Sequence, residues 1–144
     1  GGGGGRIDGA RGFPSLAPPR GARVAAGGRW YYEVEVARAG LAQVGWALPE
    51  FQGATDRGDG VGDDDHSWAW DGARAHRWHG ARRPGRPWGR KWQTGDIVGC
   101  LADLELGVLS FTLNGLGEEG VMGECFRDPR LRAAGAAAAG AAAA

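Results

Sequence analysis

Apolar and polar residues alternate with a period of two through the middle of this chain, and that period is typical of β-strands. Three stretches, 30–36, 67–71 and 108–113, alternate in this way, so each predicts a strand with one apolar and one wetter face. The stretch 41–47 is a shorter apolar run. The stretch 97–103 is apolar almost throughout, which predicts a strand that is buried on both faces.

Turn-forming residues separate these strands, and the chain contains 29 glycines. The segment 103–107 is short enough for a hairpin, in which Gly107 is able to take a positive φ angle. Asn114 and Gly115 mark a second tight turn. No stretch has the spacing of a three-turn helix, and helices do not alternate with strands. The sequence therefore predicts an all-β fold, a sandwich of two antiparallel sheets.

Both ends of the chain lack the large apolar residues that a core needs. Residues 1–20 are rich in Gly and Pro and are predicted to be a flexible leader, whereas residues 128–144 form a low-complexity tail of Ala and Gly. We expect both ends to be disordered and the sandwich to span residues 21–127. Nothing after Phe126 has a strand pattern, so the sequence leaves open whether the last strand is missing or is supplied by another chain.

Composition narrows the class of protein. The 144 residues allow one domain, and 17 basic residues balance 17 acidic ones, which excludes a histone-like polycation and an acidic tail. No run of 18 apolar residues is present, so we predict no membrane span. Cys100 and Cys125 have neither metal-binding nor redox spacing, which favours a reducing compartment inside the cell, the cytoplasm. The chain does not begin with Met, and we interpret it as a fragment.

Five motifs follow one another in a fixed order, and this order is more specific than any one of them. They occupy residues 28–36, 44–47, 62–72, 92–100 and 109–115. The series resembles the SPRY domain, a β-sandwich of the concanavalin A-like type that serves as a protein-interaction module. Within that family, the stretch 68–100 is most similar to the SPRY domains of ryanodine receptors.

The resemblance implies structural roles for the residues that carry these motifs. Large aromatic residues would fill the core, and glycines would stand where the two sheets curve. The signature residues are Trp30, Tyr32, Gly45, Trp46, Asp64, Trp68, Trp70, Asp71, Gly72, Trp92, Gly95, Asp96, Gly99, Phe111, Asn114 and Gly115.

One pair of acidic residues is suited to catalysis. Glu33 and Glu35 lie two apart on a predicted strand, so their Cβ atoms would face one side about 6.5–7 Å apart. Glycosidases on lectin-like sandwiches use carboxylate pairs of this kind. No third acidic residue follows at a signature spacing, so we predict that the two carboxylates are solvated and that the protein is not an enzyme.

The sequence gives less support for a metal or cofactor site than for a catalytic pair of carboxylates. His76 and His79 are three apart, and on a strand that spacing turns two side chains to opposite faces. The aspartates of residues 56–65 do not have the spacing of an EF-hand calcium loop. We therefore predict no metal and no cofactor.

Charge is distributed unevenly along the chain although the total is zero. Residues 56–71 contain six Asp and one Arg, whereas residues 74–91 contain seven basic residues and no acidic one. A basic stretch that also carries tryptophans suits an acidic protein or peptide partner, and we do not expect nucleic acid. The alternative is that the acidic and basic loops pair with each other.

We expect the partner to bind loops at one end of the sandwich, namely 49–61, 79–90 and 116–121. Arginine and tryptophan contribute most to the binding energy of many interfaces, and both are present here. The partner-binding residues predicted from these loops are Glu50, Phe51, Arg82, Arg83, Arg86, Trp88 and Arg90.

The resemblance implies a non-catalytic interaction module within a large multidomain protein. One such protein would be a ryanodine-receptor-like channel, whose neighbouring domains would pack against the module. One alternative is the substrate-recruiting domain of a ubiquitin ligase. An alternative of another class is a concanavalin A-like domain that binds or hydrolyses glycans.

Overall fold

The computed structural model describes residues 5, 15–16, 27–54, 57–80, 85–115, 117, 120–133 and 138–143. Within them the strands are β1 (Ser15–Leu16), β2 (Arg29–Glu35), β3 (Ala42–Ala47), β4 (Ser67–Asp71), β5 (His76–His79), β6 (Arg86–Pro87), β7 (Ile97–Asp103), β8 (Val108–Leu113), β9 (Val121–Arg127) and β10 (Ala138–Ala143). One short helix, α1 (Pro129–Ala133), lies between β9 and β10. In the part of the chain that the structure describes, no helix has the length and apolar character needed to cross a membrane.

The strands form two sheets in which all neighbouring strands are antiparallel. The larger sheet has the order β1-β10-β3-β4-β5-β6, and the smaller sheet has the order β2-β7-β8-β9. The all-β sandwich predicted from the alternation is thereby confirmed. Strands β2, β3, β4, β7 and β8 lie within one residue of their predicted bounds.

The core lies between the two sheets and is dominated by tryptophan. Trp46 from β3 and Trp68 and Trp70 from β4 are at most 1% exposed. The Trp70 ring packs edge-on against Trp92, with the ring centres 5.2 Å apart, and it lies 5.9 Å from the Phe111 ring of β8. These aromatic side chains therefore join the two sheets.

Other parts of the chain also cover the outer face of the larger sheet. The alternation within β4 predicted instead that this face is exposed to water. All five residues of β4 are buried, including Ser67 and Asp71 on the face expected to be wetter. The connection from β3 to β4 folds back over this face, so that Val61 packs against Ala69. Asp71 tolerates its burial because its Oδ1 accepts the backbone N–H of Arg74 at 3.0 Å.

The C-terminal tail contributes to the fold, contrary to the expectation of a disordered segment without a strand. Leu131 in α1 is 0% exposed and belongs to the core, so the structured chain continues past the predicted boundary at residue 127. Strand β10 pairs with β3 along six residues, and β1 pairs with β10. Ala and Gly are depleted in strands, so their sequence carries no strand signal. The edge of β3 instead recruits β10 through backbone hydrogen bonds.

Candidate functional site

Several chain segments meet at one end of the sandwich, which we call the loop end. Strand β3 finishes there and β4 begins there, because Ala47 is paired with Ser67. Strand β5 also ends there, because His79 is paired with Trp68. The connection 48–66 and the residues that follow β5 are thereby brought together.

A cavity of about 750 Å³ lies at the loop end. The connection between β3 and β4 forms most of its wall, and Gly80 contributes from the segment after β5. The aromatic ring in this wall belongs to Phe51. The charged residues among the described part of its wall are Arg57, Asp59, Asp63, Asp64 and Asp65, so that part carries more negative than positive charge.

Asp63 lines the cavity and is backed by buried groups. Its Oδ2 accepts the backbone N–H of Gly60 at 2.7 Å. The Nε2 of Gln43 lies 3.5 Å from Asp63 Oδ1, and Gln43 itself is only 1% exposed. Burial raises the pKa of Asp63. The structure thus places a partly desolvated carboxyl group in the wall of the cavity.

Asp64 organises the turn that leads into β4. Its Oδ1 accepts a hydrogen bond from Ser67 Oγ at 2.6 Å and another from the backbone N–H of His66 at 3.0 Å. Ser67 Oγ in turn accepts the backbone N–H of Gly62 at 2.7 Å. Because each of these polar groups has a hydrogen-bond partner within the network, the acidic turn has a defined conformation.

A second group of side chains supports the loop end beside the cavity. Arg130 donates to the backbone oxygen of Asp65 at 2.8 Å and to Asp128 Oδ2 at 2.9 Å. Its guanidinium lies 5.2 Å from the centre of the Trp68 ring, on which His79 also stacks at 4.7 Å. Burial raises the pKa of Asp128 and the Arg130 hydrogen bonds lower it, with a net decrease. The cavity therefore lies beside a part of the sandwich that these side-chain interactions hold in place.

Comparison with known proteins identifies the family of this fold. Residues 29–142 match the family model of the SPRY domain. This chain belongs to the SPRY domain family. The E3 ubiquitin-protein ligase RKP of Arabidopsis thaliana is 39% identical to it over 89 residues. These residues are 62% of this chain and 7% of the relative, so the SPRY domain spans only a small part of the relative's length. The predicted resemblance to SPRY domains is confirmed.

The predicted partner-binding residues occupy different parts of the SPRY domain. Glu50 is exposed and Phe51 is half-buried at the loop end. Arg82 and Arg83 lie outside the described residues. Arg86 is exposed on β6, one of the two edge strands of the larger sheet.

Trp88 and Arg90 follow β6 away from the loop end, because β6 runs antiparallel to β5. The Trp88 ring is half-buried, and its centre lies 6.1 Å from that of Trp70 and 6.0 Å from that of Phe111. Arg90 is exposed. In this SPRY domain, Trp88 therefore packs against the core.

The third predicted loop, 116–121, joins β8 to β9 at the end opposite the loop end. The Met122 side chain there approaches Gly89, since a Cβ built on Gly89 would lie 3.2 Å from Met122 Sδ. The three loops that we expected to form one surface are thus divided between the two ends of the SPRY domain.

The signature residues lie in the core and in tight turns, with one departure. Asn114, at φ 62°, donates from Nδ2 to Asp96 Oδ1 at 3.0 Å, and its Oδ1 accepts the backbone N–H of Ile97 at 2.9 Å. Trp30 departs from the others, because it is 37% exposed. The aromatic signature residues within the buried core are Trp46, Trp68, Trp70, Trp92 and Phe111.

The other candidate chemical groups are exposed or inert. Glu33 and Glu35 are exposed on β2, and the Tyr31 hydroxyl donates to Glu33 Oε1 at 2.7 Å. Among the described residues, no group of three or more His, Cys, Asp or Glu side chains could hold a metal ion. Burial raises the pKa of Cys100 to about 12, so its thiol stays protonated and unreactive near neutral pH.

Sequence reasoning found the acidic stretch but missed the acidic cavity. From the uneven charge alone, the sequence predicts only that the acidic loop could pair with the basic loop. The signal available was Gln43, a polar residue inside the apolar run of β3. A buried polar side chain needs a nearby partner, and here that partner is Asp63 in the cavity wall.

Proposed function

We propose that this SPRY domain recognises a partner protein, without catalysing a reaction, through the cavity at the loop end. The observation that supports the proposal most is the cavity itself, a concave site whose wall is formed mostly by the connection between β3 and β4. Binding sites are typically concave, and loops held by a rigid scaffold commonly carry them. SPRY domains are protein-interaction modules, which agrees with this role.

We propose further that the domain recruits a substrate within a ubiquitin ligase. This role is supported by the 39% identity to a protein named an E3 ubiquitin-protein ligase. Since the chain spans 7% of that relative, catalytic steps would belong to other parts of the longer protein. A RING or cullin-adaptor segment in the longer sequence of this protein would support the ligase role.

The channel context stays a second proposal. It is supported by the similarity of residues 68–100 to ryanodine-receptor SPRY domains. Transmembrane helices in the longer sequence would favour it over the ligase role. The intracellular location also stays a prediction, supported by two free cysteines that are both buried.

Selection of peptides tests whether the cavity binds a protein. We would select peptides from a random display library on the immobilised protein and measure their affinity for variants. Gln52 is exposed and lines the cavity, so Gln52→Trp fills the site without altering the core. We expect this variant to raise the Kd of the selected peptides at least about tenfold, a loss of about 1.4 kcal/mol.

Gln93→Trp is the matched control, because Gln93 is exposed at the opposite end of the domain, before β7. Unchanged binding to Gln52→Trp, or equal loss in both variants, would contradict a site at the loop end. The same peptides are measured against Arg82→Ala with Arg83→Ala: weaker binding at an unchanged melting temperature would favour the acidic partner predicted from the sequence over a partner that binds the acidic cavity. Binding on a glycan array that is lost in Glu33→Gln would instead support the glycan alternative.

A further inference from the structure

The negative charge of the cavity wall favours a positively charged partner, whereas the sequence predicts an acidic one. Four aspartates line its wall, against the single described cation Arg57. Arg130 lies nearby, but its guanidinium already donates to Asp128 and to the backbone of Asp65. Among the described residues, His66 and His79 also lie beside this wall, and Arg74 is near enough for its charge to act on Asp63. His79 Nδ1 is 2.8 Å from the backbone oxygen of Ser67.

The four carboxylates differ in how many hydrogen bonds they already accept within the protein. Asp64 is used by the turn before β4, as described above. Asp59 and Asp65 accept no side-chain hydrogen bond from the described residues. Asp63 accepts from Gly60, and burial raises its pKa although the Gly60 and Gln43 hydrogen bonds and the charge of Arg74 oppose the rise. Three carboxylates of the wall are therefore able to accept from a donor in the cavity.

Behind the same wall lie two buried oxygen atoms that have no hydrogen-bond partner among the described residues. Gln43 is 1% exposed and its side chain is directed at Asp63, yet its Oε1 has no hydrogen bond among the described residues. Ser15 Oγ is likewise buried without a described partner. It lies 3.2 Å from where a Cβ of Gly53 would be, and Gly53 lines the cavity. Buried polar atoms are normally satisfied, so each of these two oxygens keeps the capacity to accept a hydrogen bond.

We propose that the cavity binds an arginine side chain of the partner protein. This inference rests on the proposed function and gives the chemistry of its ligand. A guanidinium offers five N–H donors in a planar fork, which suits a wall with several separate carboxylates better than the point charge of lysine. The Phe51 ring in the wall gives the planar group a face to stack on.

An NMR titration of the full chain tests the proposal directly. The probe is the peptide acetyl-Gly-Gly-Arg-Gly-Gly-amide, and the matched probe carries citrulline, which is neutral and has nearly the same shape. We expect the arginine peptide to shift the amide signals of Gly53, Gly60 and Gly80 and the citrulline peptide to leave them in place. Equal shifts with both peptides, or none with either, would overturn the proposal.

Charge variants of the protein complete the test. Asp59→Asn with Asp65→Asn removes two negative charges from the wall, and we expect it to raise the Kd of the arginine peptide about tenfold. Glu33→Gln with Glu35→Gln removes the same charge from exposed positions on β2 and should leave the Kd unchanged. An equal effect of both pairs would mean that only net charge matters, against a site. If the first pair does not fold, Asp65→Asn alone is used, because Asp65 is exposed.

The two proposals fail in different ways. Selected peptides that lose binding in Gln52→Trp but contain no excess of arginine would retain the proposed function and refute the arginine site. A library that yields no peptide, together with no shift by the arginine peptide, would refute both.

Discussion

At the scale of single residues, glycine determines how closely the strands of the larger sheet approach. Gly45 is in the middle of β3, and a Cβ built there would overlap the backbone oxygen of Trp68 on β4. The Gly45 carbonyl also accepts the Tyr32 hydroxyl at 2.6 Å, which ties the two sheets together. Gly45 therefore stands where no side chain fits, and its role follows from the contact with β4.

Replacing this glycine should destabilise the domain. We expect Gly45→Ala to lower the free energy of unfolding by about 1–3 kcal/mol, because the methyl group meets backbone that is unable to move aside. Urea denaturation measures the change. Gly40→Ala is the control, since a Cβ at Gly40 meets nothing within 4 Å. A similar loss in both variants would show that glycine content, not close approach, accounts for the effect.

At the scale of elements, the tail is held by two different interactions. Leu131 in α1 contributes a large apolar side chain to the core, whereas β10 contributes backbone pairing with β3. Burying one leucine side chain completely stabilises a fold by about 1.5–3 kcal/mol. Leu131 thus anchors the tail to the core of the sandwich.

Truncating the Leu131 side chain tests this assignment. We expect Leu131→Ala to lower the free energy of unfolding by about 2–5 kcal/mol, the range for buried leucines. Leu106→Ala is the matched control, because Leu106 is 53% exposed in the turn between β7 and β8. Urea titrations of both variants make the comparison. A loss in Leu131→Ala no greater than in the control would show that the tail does not belong to the folded unit.

At the scale of the whole molecule, one aromatic cluster belongs to both sheets. Trp70 of the larger sheet contacts Trp88, Trp92 and Phe111, and Phe111 belongs to the smaller sheet. A sandwich that shares its core in this way has no route by which one sheet melts alone. The domain is therefore expected to unfold as one unit.

Thermal unfolding of the full chain provides the measurement at this scale. We expect the near-ultraviolet circular dichroism of the tryptophans and the far-ultraviolet signal of the strands to fall in one coincident transition. Both signals report the same event if the tryptophan core and the sheets depend on each other. Transitions that differ in midpoint, or a featureless near-ultraviolet spectrum, would contradict a single cooperative core.

The parts of the fold that were predicted are those with a local signal. Strands β2, β4 and β8 alternate along the sequence, and β7 is a continuous apolar run, so each was placed within one residue. Strand β10 consists of Ala and Gly and gives no periodic signal. Its placement depends on β3, which is about 90 residues earlier.

The sequence by itself determined the sandwich, the family and most aromatic residues of the core, because side-chain period and turn chemistry are local properties. Only the tertiary structure showed that the connection from β3 to β4 folds over the outer face of the sheet. That fold-back buries Gln43 behind Asp63 and turns a run of aspartates into the wall of a cavity. The charge of the binding surface depends on which loops meet in space, and a linear pattern does not contain that information.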